Sequence, residues 1–130
     1  MKNSLKLTLS IVSLLLLSSC STFVSERMLH IKKGSTIAEV FRIDSDIVEK
    51  DATIMTGDDL DKSAVYHLAI SEMSAADNDN YWIYAFKNNQ LFYWGYPYQF
   101  KRHADKEIRA FGEAAGKYMI DKEYLQATKE

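Results

Sequence analysis

The chain has 130 residues, is 47% hydrophobic and 26% charged, and carries a formal net charge of −2. That length holds one domain around one core, and an acidic balance excludes the basic surface that nucleic-acid binding requires. Cys20 is the sole cysteine, which excludes an internal disulfide, a thiolate zinc site and a two-cysteine redox motif.

Residues 1–19 open with Lys2 and Lys6, continue with Leu7, Leu9, Ile11, Val12 and the run Leu14 to Leu17, and end in Ser18 and Ser19 before Cys20. Positive start, apolar segment and small-residue site are the order of a secretory signal. The apolar run is interrupted by Thr8, Ser10 and Ser13 and falls well short of the roughly 20 residues of a spanning helix. Leu17-Ser18-Ser19-Cys20 resembles the lipobox of bacterial lipoproteins. The resemblance implies a diacylglyceryl group on the Cys20 sulfur, cleavage before Cys20 and acylation of the new amino terminus. It also makes Ser21 the sorting position, where a residue other than aspartate implies delivery to the outer membrane, facing the periplasm. Removal of Lys2 and Lys6 leaves the rest more acidic, with no polybasic attraction to anionic lipid. Attachment then rests on the lipid of Cys20, and more than one acyl chain holds firmly where a single chain binds reversibly.

Residues 20–33 read as the lipidated cysteine and a tether, with Met28, Leu29 and Ile31 as a first short element. The domain proper is expected over 34–120. Thr36 with Glu39 forms a capping box that starts a helix, and Ile37, Val40, Phe41, Ile47 and Val48 follow at helical spacing, interrupted by Asp44 and Ser45. Lys32 and Lys33 read as a solvated flank. Asp51, Asp58, Asp59 and Asp61 do not have the spacing of a twelve-residue calcium loop. Thr56 to Asp59 reads as a turn, after a short strand at 52–55.

Residues 64–72 alternate as a strand, with Tyr66, Leu68 and Ile70 on one face. A polar turn is expected over 74–80. Residues 81–86 and 91–96 are two further strands, joined at Asn88-Asn89 by a two-residue turn with positive φ. An uninterrupted register pairs Phe86 with Leu91, Tyr84 with Tyr93 and Trp82 with Gly95 on one face, and Ala85 with Phe92, Ile83 with Trp94 and Tyr81 with Tyr96 on the other. Ten of the sixteen aromatic residues lie between Tyr81 and Phe100. The expectation is that Ile83, Ala85, Phe92 and Trp94 meet the helices, with Trp94 beneath the C-terminal helix against Ile108 and Phe111. Trp82, Tyr84 and Tyr93 are then left as an amphipathic face for a partner, flanked by Lys101, Arg102 and His103.

Pro97 ends the last strand. A helix starts near Ala104 or Asp105, with Ala104, Ile108, Phe111, Ala115 and Tyr118 as its apolar stripe. Gly112 and Gly116 are expected to let it approach the sheet closely. Residues 121–130 read as a polar, frayed tail. His30, His67 and His103 are not at metal-ligand spacing, and no catalytic motif, phosphate loop or cofactor fingerprint occurs. The expectation is a binding protein with no catalytic residues, no metal and no cofactor.

Ile31-Lys32-Lys33-Gly34-Ser35-Thr36 with Glu39-Val40 resembles the helix-opening motif of the small-protein-A, or BamE-like, lipoprotein family. That resemblance implies helices against an antiparallel meander and an accessory role in outer-membrane assembly. The family's leucine-glycine-x-proline signature is replaced here by the region of Asp44 and Ser45. Together these readings give an α+β domain: a three- or four-stranded antiparallel meander with helices packed on one face. Its expected role is that of a lipid-anchored scaffold or accessory whose partner is another envelope protein. The alternative is a small periplasm-facing binding or inhibitory module that uses the aromatic sheet face.

Overall fold

A computed structural model describes residues 29–72 and 81–126. The signal, Cys20 and the expected turn over 74–80 lie outside the described residues. The described residues from Lys32 onward form one compact unit.

Helix α1 runs from Ile37 to Ile43 and is capped by Thr36. The Thr36 hydroxyl accepts from the Glu39 N–H at 3.2 Å and donates to Glu39 Oε1 at 3.1 Å. Only half of the expected capping box forms, because the Glu39 carboxylate takes the hydroxyl instead of the Thr36 amide. The helix stops at Ile43 because Asp44 is extended, with φ −97° and ψ 102°. The apolar pattern that continues past it, at Ile47, belongs to an isolated antiparallel bridge with Ser71.

Four strands follow: β1 (Thr53–Met55), β2 (Tyr66–Ser71), β3 (Trp82–Lys87) and β4 (Gln90–Gly95). They form an antiparallel meander in chain order. The β3–β4 turn is the expected one, since Asn88 and Asn89 have φ of 51° and 62°. The same two side chains tie the turn to its surroundings. Asn88 Oδ1 accepts from the Val65 N–H at 3.0 Å and Asn89 Oδ1 accepts from the Ile37 N–H at 3.1 Å.

The register past the turn departs from the expectation. Phe86 pairs with Leu91 as expected, but Ala85 then pairs with Tyr93, Tyr84 with Trp94 and Ile83 with Gly95. Phe92 is the extra residue of a β-bulge, and everything beyond it is shifted by one. A one-residue shift moves each later side chain to the other face. Tyr93 therefore joins the Ala85 face, while Trp94 joins the face of Tyr84 and is not in the core beneath the C-terminal helix.

Two helices complete the unit, α2 (Pro97–Lys101) and α3 (Lys106–Asp121). Asp105 caps α3 by accepting from the N–H groups of Glu107 and Ile108 at 2.8 and 3.2 Å. Phe100, Ile108, Phe111, Ala115 and Met119 pack with Tyr66, Leu68, Ile70, Ile83 and Ala85 to form the core. Phe111 is its hub, with ring centroids of Phe92, Phe100 and Tyr66 at 5.7, 5.9 and 6.3 Å. The α+β class, the four-stranded meander and the helices packed on the sheet are thus as expected. Residues 121–126 do not simply fray: Glu123 has φ 65°, and the N–H groups of Tyr124 and Leu125 return to the Met119 carbonyl. Tyr124 then meets Tyr81 edge-on at 5.1 Å.

The glycines of α3 serve a different contact from the one expected. A Cβ on Gly112 would collide with the Phe100 side chain of α2, whereas one on Gly116 would find only Lys101 Cε, at 4.0 Å. Gly112 thus sets the spacing between α2 and α3, not that between helix and sheet. Gly112→Ala is expected to cost about 1–3 kcal/mol through overpacking. Gly116→Ala should be neutral or stabilising by up to about 1 kcal/mol from helix propensity. Thermal melts of the two variants check this contrast.

Candidate binding surface

The structure separates the residues that the alternation groups together. Tyr84 is fully buried, and its hydroxyl donates to Asp44 Oδ2 at 2.7 Å. It belongs to the interior and offers nothing to a partner. Tyr93 lies on the opposite face, packed edge-on against Phe100 and His103 with centroids at 4.7 Å in both cases. Trp82, Lys101 and Arg102 remain near the surface, Trp82 half-buried and the two cations exposed.

Helix α2 gathers these three, and its short sequence explains how. Pro97 occupies the first helical position, where its fixed φ suits the turn and its missing N–H costs nothing. Gln99 folds back so that its Oε1 accepts from the Tyr96 N–H at 2.8 Å. Phe100 then points inward and is fully buried, while Tyr98 points outward with 52% of its surface exposed. Trp82 meets Tyr96 edge-on at 5.1 Å, Tyr96 stacks on Tyr98 at 5.8 Å with 7° between planes, and the Arg102 guanidinium sits 5.8 Å from the Tyr98 ring. The result is a ladder of three aromatic rings ending in a cation.

Beside the ladder lies a shallow depression of about 350 Å³ between α2 and α3, lined by Pro97, Tyr98, Lys101, Gly116, Lys117 and Ile120 among others. Ile120 is 38% exposed. Tyr96, Tyr98 and Ile120 were not expected at a surface site. The signal for the first two was Pro97, which reads as a strand terminator but equally as the first residue of a helix.

The remaining polar clusters tie elements together. Glu107 Oε2 accepts from the Tyr66 hydroxyl at 2.6 Å and from Lys87 Nζ at 2.7 Å, which fastens the first turn of α3 to β2 and β3. The Glu107 carboxylate raises the Lys87 pKa, so that ammonium stays charged. Tyr118 donates to the Glu49 carboxylate at 2.7 Å and accepts from the Thr53 hydroxyl at 3.2 Å. Burial foremost raises the Tyr118 pKa. A second recess, of about 540 Å³, opens under residues 55–64, with Met55, Leu60 and Tyr66 as its floor and Asp58, Lys62 and Lys117 at its mouth.

Comparison of this chain with protein-family models, curated proteins and solved structures gave no match.

Proposed function

We propose that this protein is a lipid-anchored component of the cell envelope, held at the outer membrane through Cys20 and facing the periplasm, that acts by binding another envelope protein. A scaffold or accessory in outer-membrane assembly is the role that fits best. The observation that carries the anchoring is the sequence Leu17-Ser18-Ser19-Cys20 after a short apolar segment. The binding role is supported by the ladder of Trp82, Tyr96 and Tyr98, whose residue types are those enriched in interface hot spots.

Anchoring is tested by fractionation and intact mass. The mature chain should partition into detergent and carry the acyl mass on Cys20, and Cys20→Ser should yield an unprocessed precursor or soluble protein. A Cys20→Ser variant that fractionates and migrates like the parent overturns the assignment.

A second reading, a periplasm-facing binding or inhibitory module, is favoured by the depression next to Tyr98, which is concave and not flat. The two are separated by a photo-crosslinking residue at position 98 in intact cells. Adducts with a membrane-embedded β-barrel complex support the assembly role. Retention of a soluble periplasmic molecule by the isolated protein supports the module.

A further inference from the structure

We infer that the depression between α2 and α3 receives an acidic polypeptide segment of a partner protein, with one apolar side chain of that segment seated between Tyr98 and Ile120. The inference deepens the binding role proposed above and rests on it.

Two of the large hydrophobic side chains that stay exposed, Tyr98 and Ile120, border the same depression. Its floor at Gly116 is backbone with no side chain, so a guest side chain can approach α3 closely. A depression of about 350 Å³ admits one or two side chains of a peptide.

The charge of the guest follows from the rim. Lys101 and Lys117 line the depression and Arg102 lies over the Tyr98 ring. None of the three has an ion pair among the described residues, where the ion pair found is Lys87–Glu107. Glu113 is the carboxylate that lines the depression. This basic rim is a local exception in an acidic chain: residues 39–61 carry eight acidic and two basic side chains. Carboxylates on the guest therefore meet complementary charge here and repulsion from the 39–61 segment, which fixes where they dock. A second copy could offer its own 39–61 segment as the acidic guest. That contact would join two different surfaces and leave both free at each end, producing open chains instead of a closed assembly. A separate partner leaves no such open ends.

The test is selection of random peptides of about twelve residues, displayed on phage, against the lipidated full chain in detergent micelles. The expected consensus is net acidic with a single large apolar residue. A synthetic peptide of that consensus should bind the parent and lose about tenfold or more with Tyr98→Ser/Ile120→Ser. Lys101→Glu/Lys117→Glu should lose similarly and remove the salt dependence. All four positions are at the surface, and circular dichroism melts confirm folding of both variants. A basic or neutral consensus, no enrichment, or binding indifferent to both variants overturns the inference. So does concentration-dependent self-association of the parent that both variants abolish, since the occupant is then a second copy. Intact mass of the same preparation reports the lipid on Cys20, so failure of the anchor and failure of the peptide site are read separately.

Discussion

Phe111→Ala is expected to lower the unfolding free energy by about 3–5 kcal/mol, the range for truncating a fully buried phenylalanine. Phe111 has no exposed surface and touches rings from three elements: Tyr66 on β2, Phe92 on β4 and Phe100 on α2. The cavity left by its loss is walled by those rings, by the sheet and by α3 itself, so little can collapse into it. A loss of this size is a large part of the roughly 5–15 kcal/mol that holds a domain together. Chemical denaturation of the variant checks it. Trp94→Ala, by contrast, should stay well below that range, because the bulge carries Trp94 away from Phe111. An equal loss in both variants would show that the core lies elsewhere.

The second large effect concerns the buried pair of Tyr84 and Asp44. Tyr84→Phe should cost about 1.5–3 kcal/mol, as for a hydrogen bond to a charged acceptor left without its donor in the interior. Asp44 is 4% exposed; its Oδ1 accepts from the Asp46 N–H at 2.9 Å, and its Oδ2 relies on Tyr84. Burial, followed by the hydrogen bond to Asp44, raises the Tyr84 pKa far above the ordinary tyrosine value. The folded state therefore holds this proton more tightly than the unfolded chain, whose tyrosines titrate near about 10. The stabilisation is fully present below that pH and falls as pH rises above it, because only the unfolded state gains by losing the proton. Stability curves measured from neutral pH to beyond 10 should decline for the parent and decline less for Tyr84→Phe. Parallel curves would show that other groups set the alkaline limit.

Much of the fold was legible because it follows from local rules. Alternation over Tyr66, Leu68 and Ile70, the Asn88-Asn89 turn and the stripe of Ile108, Phe111 and Ala115 each obey a period or a turn preference, and each is where the sequence places it. Cross-strand register is different in kind. Phe92 is apolar like Leu91 before it and aromatic like Tyr93 and Trp94 after it, so nothing in the side-chain pattern marks it as the extra residue. The burial of Tyr84 was hidden for another reason. Its partner, Asp44, lies 40 positions earlier and reads as a helix interruption. That interruption carries the chain off α1 and places the carboxylate at the Tyr84 hydroxyl.

The candidate surface shows the same division. Trp82, Lys101 and Arg102 were found by type and proximity in sequence, and the structure links Trp82 to Arg102 through the rings of Tyr96 and Tyr98. Tyr93 was assigned by an unbroken register and falls away with it, whereas Tyr84 keeps its face but is buried against Asp44. Tyr98 and Ile120 come from different helices, 22 positions apart, and share the rim of one depression. Gly112 makes this possible by seating α2 on α3 without a side chain between them.

The bulge at Phe92 makes parity counted from the Asn88-Asn89 turn a false guide to which aromatic ring faces where. Deleting that single residue would restore an even phase along β4 and leave the hydropathy of the strand almost unchanged. It would leave Tyr93 opposite Ala85 and Trp94 opposite Tyr84, because the residue removed is the unpaired one, and would take only the Phe92 ring from the core. Two chains that differ across this hairpin only by the presence of that residue would therefore present the same rings on each side of the sheet beyond the bulge, and an alignment that placed the gap in the Asn88-Asn89 turn would equate side chains pointing in opposite directions between the turn and Phe92.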